Sequence, residues 1–141
     1  MTLRDQPLAA IWLYCRDLER SAAFYGDALG LRPLADGHFD AGGVRISLHP
    51  SLGRPVEPQG SFLVFIVEAV DEAYEELLGH GVHFDAPPAE QEFGRAASFR
   101  DPDGHELWIW QPPAEDDERF PTVEALVTHY RELLPRLRGG A

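Results

Sequence analysis

The chain has 141 residues, 44% of them apolar, and a formal net charge of −12 from 24 acidic and 12 basic side chains. That is enough apolar material for one domain with a core of its own, which excludes a disordered chain, and the acidity excludes binding along a phosphate backbone. A single cysteine, Cys15, excludes an internal disulfide, a zinc knuckle and a two-cysteine redox motif. The same features favour a neutral or cationic small ligand and a reducing cytoplasm. The first residues lack the basic start and apolar run of an export signal, and no apolar stretch reaches membrane-spanning length.

In chain order, residues 8–15 alternate as a strand does and lead to Asp17. This residue N-caps an amphipathic helix bearing Ala22, Phe24, Tyr25, Ala28 and Leu29, closed by Gly30. Short strands fit 31–35, 37–41 and 44–49, parted by Asp36-Gly37 and Gly42-Gly43. Residues 51–60, with Pro55, Pro58 and Gly60, form a connector. The order then recurs. A strand over 62–68 precedes a helix capped by Asp71, carrying Ala73, Tyr74, Leu77 and Leu78 and stopped by Gly79 and Gly81; strands follow over 82–85, 95–101 and 106–111. Two copies of one order predict a pseudo-symmetric α+β body within a single domain, 1–141, built from modules 8–50 and 61–112. Residues 113–138 add an acidic loop, Glu115-Asp116-Asp117-Glu118, read as a solvated linker, and a last helix. That helix presents Val123, Leu126, Val127, Tyr130, Leu133, Leu134 and Leu137 on one face, which docks on the chain's own sheet or on a neighbouring subunit.

The most informative stretch is 99–111. Asp101-Pro102-Asp103-Gly104 makes a turn, and the strand after it puts Leu107 and Ile109 on one face and Glu106, Trp108 and Trp110 on the other. An aliphatic face belongs against helices. An aromatic face is buried in the core or lines a place where something flat and apolar binds.

The run Arg16-Asp17-Leu18-Glu19-Arg20-Ser21-Ala22-Ala23-Phe24-Tyr25-Gly26-Asp27-Ala28-Leu29-Gly30-Leu31 resembles the opening of the vicinal oxygen chelate superfamily. Asp101-Pro102-Asp103-Gly104-His105 resembles its closing turn, so the resemblance covers 8–111. It implies two βαβββ modules whose curved sheets surround a cavity. The superfamily includes glyoxalases, extradiol dioxygenases, fosfomycin-resistance enzymes and bleomycin-resistance-type binding proteins. Its metalloenzymes place a His on the first strand of each module and a Glu late on the last strand. The matching positions here are Ala10, Phe62 and Trp108, and none carries a lone pair suited to a divalent cation. The resemblance therefore implies a chain without the usual metal or any cofactor, closest to the bleomycin-resistance type, which sequesters antibiotics as a dimer with grooves between subunits.

Strand parity extends the argument. If Ala10 faces the cavity, so do Trp12 and Tyr14; if Phe62 does, so do Val64 and Ile66; if Trp108 does, so do Glu106 and Trp110. The expected ligand contacts are Trp12, Tyr14, Phe62, Val64, Trp108 and Trp110, with Arg45, His49 and Glu106 as polar groups and Phe39, beside His38, capping the pocket. The expected partners are an aromatic, cationic small molecule and a second copy of the chain, with neither nucleic acid nor membrane. Cys15 falls on the helix-packing side as a small core residue, His105 in the turn, and His80 and His83 beside a helix C-terminus that favours a cation. Two other readings stay open: an enzyme of secondary metabolism, with a metal drawn to His49, His105 and Glu106 or with His49 as a metal-free acid–base group, and a module whose terminal helix recruits a partner.

Overall fold

Strand β1 (Ala10–Cys15), helix α1 (Leu18–Ala23) and strands β2 (Arg32–Ala35), β3 (His38–Asp40) and β4 (Arg45–Pro50) form the first half of the chain in the computed structural model. Strand β5 (Phe62–Ile66), helix α2 (Val70–Gly79) and strands β6 (Ala89–Gln91), β7 (Gly94–Arg100) and β8 (Glu106–Gln111) repeat that order. The structure describes residues 3–4, 6, 8–35, 37–52, 56, 60–92, 94–119, 122, 124–125, 128, 131–132 and 135–136.

Each half folds into a four-stranded sheet, in the orders β1-β4-β3-β2 and β5-β8-β7-β6. The first strand of each half pairs in parallel with the last, and the remaining pairs are antiparallel. A parallel partner needs a long crossover, and the helix and two intervening strands supply it. These are two βαβββ modules in an α+β fold.

Both helices are held by side chains the chain supplies at their ends. Asp17 sits in extended backbone and its carboxylate accepts the Arg20 N–H at 3.2 Å, as the sequence predicts. Helix α1 then widens into a π-helical turn, Phe24–Ala28, that drives Tyr25 fully into the core. Helix α2 departs from the sequence expectation. Ala69, not Asp71, stands at its cap position, and the Val70 N–H is met by the Gln111 side-chain oxygen at 2.9 Å. Asp71 lies in the first turn and holds Arg95 with both carboxylate oxygens, at 2.9 and 3.0 Å. The strand expected over 82–85 is reduced to one bridge, Phe84 to Phe99, and the edge strand forms later, at β6, after Pro87-Pro88.

The core joins both modules. Cys15, Tyr25, Phe39, Ile46, Leu48, Val70, Val82, Ala97, Phe99, Leu107 and Ile109 are buried in one cluster, and Phe24, Leu63, Phe65, Tyr74 and Leu77 pack against it. Burial of this size is the main favourable term, at about 1.5–3 kcal/mol per large side chain. A polar latch supplements it. Asp101 and Asp103, both buried, receive the Tyr25 hydroxyl at 2.8 Å, the Ser21 hydroxyl at 3.1 Å and the Arg16 backbone N–H at 3.0 Å. The closing turn of the second module is thereby tied to the first helix of the first.

In the acidic loop, Asp117 pairs with Arg119, which also reaches Glu90 on β6 at 3.2 Å. Residues 124, 125, 128, 131, 132, 135 and 136 are helical and exposed, with Thr122 Oγ1 accepting the Ala125 N–H. The apolar face of this helix, Val123, Leu126, Val127, Tyr130, Leu133, Leu134 and Leu137, lies outside the described residues. No helix among the described residues is long and apolar enough to cross a membrane.

Candidate functional site

The strand ladders decide which side chains share a face. On the first sheet, Ala10, Trp12 and Tyr14 of β1 register against Arg45, Ser47 and His49 of β4, and His38 and Asp40 of β3 continue the row. On the second, Phe62, Val64 and Ile66 of β5 register against Glu106, Trp108 and Trp110 of β8, followed by Arg100, Ser98 and Ala96 of β7. The alternate residues, Ile11, Leu13, Leu63, Phe65, Leu107 and Ile109, point to the helices. The helix side is therefore apolar throughout, and the open side mixes aromatic rings with polar groups.

Those open sides are accessible in the single chain. Trp12 is 63% exposed, Phe62 53%, and Tyr14, Val64 and Ile66 are exposed as well. Soluble proteins seldom leave so many large apolar side chains uncovered on one kind of face without a use for them. Trp12 stacks flat on His49, with ring centroids 4.2 Å apart and planes 16° from parallel. Phe62 leans on Trp108 at 6.1 Å. The Trp108 indole N–H donates to Glu106 at 2.7 Å, and Arg100 pairs with the same carboxylate at 3.2 Å. His105 in the closing turn contacts the Tyr14 carbonyl oxygen at 2.9 Å, which brings the end of β1 to the start of β8.

At the far end of the first sheet, Ala10, Leu34, Asp40 and Arg45 line a hollow of about 290 Å³. Asp40 is held by the Gly43 N–H and by Arg32, which keep its carboxyl below the usual range. The Arg45 guanidinium has no hydrogen-bond or ion-pair partner among the described residues, although its main-chain N–H donates to the Ala9 carbonyl at 2.9 Å.

Of the residues expected at the site, Trp12, Tyr14, Arg45 and His49 gather on the first open face, and Phe62, Val64, Glu106, Trp108 and Trp110 on the second. Phe39 is not with them. It points the other way, is 4% exposed and packs on Tyr25, because its neighbours His38 and Asp40 take the open face. His38 lies there with its Nδ1 2.8 Å from Ser47 Oγ. Ser47 shares the first face with Arg45 and His49, as the alternation of its strand implies; Ser98 and Arg100 share the second, and the period-two alternation of β7 is the signal that could have found them.

Ala10, Phe62 and Trp108 offer no donor to a divalent cation, and Glu106 already serves an indole N–H and an arginine. Among the described residues, no three His, Cys, Asp or Glu side chains come together as a metal requires. The donor set does not fit the metal that relatives of this fold use. Cys15 is buried, donates to the His49 carbonyl oxygen at 3.4 Å, and burial pushes its thiol above the ordinary range, which suits a core residue and not a nucleophile.

Two βαβββ modules in matched strand order define a vicinal oxygen chelate protein. The chain belongs to the Glyoxalase/Bleomycin resistance protein/Dioxygenase superfamily, whose family model matches residues 7–109. It is 32% identical to the uncharacterized protein YraH of Bacillus subtilis (strain 168), across 74% of this chain and 97% of that protein. A glyoxalase-related enzyme from Fulvimarina pelagi is similar at a TM-score of 0.63 and 27% identity, covering 77% of this chain and 89% of that one. TnmS3, an antibiotic binding protein from Streptomyces sp. CB03234, shares the fold at a TM-score of 0.68 and 23% identity, over 79% of this chain and all of that one.

Proposed function

We propose that this protein is a metal-free cytoplasmic binding protein that sequesters a flat, aromatic and cationic natural product of the antibiotic kind. The ligand lies against the open sheet faces, stacked on Trp12, Tyr14, Phe62, Trp108 and Trp110 with Val64 between them. Arg45, His49 and Glu106 orient its polar groups. A second copy of the chain supplies the opposite wall of the groove. The carrying observation is the exposure of Trp12 and Phe62 on faces where the chelating positions of metalloenzyme relatives hold Ala10, Phe62 and Trp108.

Physical chemistry supports that reading. Ring stacking and cation–π contact add about 0.5–2 kcal/mol each beyond area burial, so three or four such contacts hold a planar cation at useful affinity. The net charge of −12 draws cations towards the chain. Fold likeness to an antibiotic binding protein points the same way. The direct test is tryptophan emission titrated with a panel of planar natural products, cationic and neutral. Saturable quenching is expected, lowered at least about tenfold in affinity by Trp12→Ala. Silence across the panel refutes the reading, as does stoichiometric divalent metal in the purified protein that is lost on Glu106→Ala, which supports an enzyme instead.

A further inference from the structure

On the helix-bearing side of the second sheet, away from the aromatic faces, a cleft of about 240 Å³ opens between the end of α1 and α2. Its floor is Phe65, Val67, Phe99 and Ile109, and Leu29 and Leu77 form its walls. The cleft exists because α1 stops early. The Leu29 N–H bonds back to the Phe24 carbonyl at 2.9 Å and the Leu31 N–H to that of Tyr25 at 3.0 Å, while Gly30 at φ +73° turns the chain away towards β2. The helix leaves before it covers the floor.

The mouth carries Asp27, Glu76 and His80 and no arginine. The carboxylates of Asp27 and Glu76 make no hydrogen bond or ion pair among the described residues. Both are exposed, and what sets them apart from the chain's other surface carboxylates is that they border an apolar cleft. An apolar floor beneath two unmatched carboxylates is complementary to one chemistry: a hydrocarbon or single ring that fills the cleft and an ammonium group that sits at its mouth.

We propose that this cleft is a second ligand site, separate from the aromatic faces, for a small amphipathic ammonium ion. The hydrocarbon part displaces water from Phe65, Phe99 and Ile109, and the ammonium lies between Asp27 and Glu76. The site belongs to one chain and does not depend on the ligand proposed for the open faces.

The test is a nitrogen-15 NMR titration of the full-length chain with phenethylammonium, alongside the neutral alcohol and the carboxylate of matching shape. Saturable shifts are expected at the amides of Ala28, Leu77 and His80 and not at the indoles of Trp12 and Trp108. Exposed charge pairs are each worth about two- to fivefold in affinity, so the amine binds about tenfold tighter than the alcohol and the carboxylate weakest of all. The double substitution Asp27→Asn, Glu76→Gln, both on exposed side chains, brings the amine down to the alcohol's affinity and leaves the alcohol unchanged. Equal affinity of amine and alcohol for the unaltered chain overturns the proposal. So does a lack of saturation, or a response confined to the tryptophan faces.

Discussion

Truncating Asp103 to Ala tests whether the closing turn binds the two modules together. Its side chain is 4% exposed and accepts three donors from the first module: the Arg16 N–H at 3.0 Å, the Arg16 guanidinium at 3.2 Å and the Ser21 hydroxyl at 3.1 Å. A hydrogen bond to a charged group contributes about 1.5–3 kcal/mol. The guanidinium is 61% exposed, so that contact counts only as a surface pair, about 0–1 kcal/mol. Ser21 is fully buried, and its hydroxyl loses its carboxylate acceptor and keeps only the Cys15 thiol beside it. Against this, the variant no longer desolvates a carboxylate, which returns part of the loss. The net expectation is a loss of about 3 kcal/mol, or about 10 °C in melting temperature for a chain of this size. Urea unfolding followed by tryptophan emission measures it, with Ser21→Ala expected to lose about 1 kcal/mol. A loss below about 1 kcal/mol for Asp103→Ala would refute the claim that this turn joins the modules.

Tyr25 donates to Asp101 at 2.8 Å, and burial together with that carboxylate raises its phenol far above the ordinary 10.0. The folded chain keeps this proton where the unfolded chain releases it, so Tyr25 makes stability fall as pH rises past about 10. Tyr25→Phe should lack that alkaline decline while losing about 1.5–3 kcal/mol at neutral pH, and parallel urea midpoints from pH 7 to 11 for the two proteins would contradict the assignment. Cys15, buried and with its thiol pushed up, should react with an aromatic disulfide reagent only as fast as the chain unfolds; prompt stoichiometric labelling of the native protein removes it from the core. Gly94 has φ +126°, and a Cβ there would stand 2.5 Å from the Gln111 carbonyl oxygen and 2.9 Å from Trp110 Nε1. Gly94→Ala should therefore cost about 2–4 kcal/mol and shift the Trp110 emission; an unchanged melt is the contrary result.

What local pattern controls was legible in the chain, and what distant partners control was not. Asp17 caps its own helix through a residue three places on, and the alternation of Trp12, Tyr14, Trp108 and Trp110 follows from strand geometry alone, so both could be read directly. The start of α2 could not, because Gln111, 41 residues away, meets the Val70 N–H and Asp71 is drawn to Arg95. Val82 looked like a strand residue for its hydrophobicity, yet it is buried in an irregular segment, and the ladder waits until Pro87-Pro88 has passed. Tyr25 reads as an apolar helix position, and only the fold reveals that its hydroxyl reaches the second module. For the site, parity placed nine of ten residues on open faces; Phe39 escaped because a three-residue strand is too short to show its alternation.

Neither ladder continues into the other among the described residues, so β1, β2, β5 and β6 each end a sheet with outward main-chain groups. Two of these margins are guarded, β2 by Arg32-Pro33 and β6 by its brevity and by Glu90. The other two carry Trp12, Tyr14, Phe62 and Ile66 with neither proline nor charge in the strand, and the end of β1 is met from outside its sheet by His105 at the Tyr14 carbonyl. In concentrated solution these strips are the ones the chain presents to its neighbours, and covering them would oppose association.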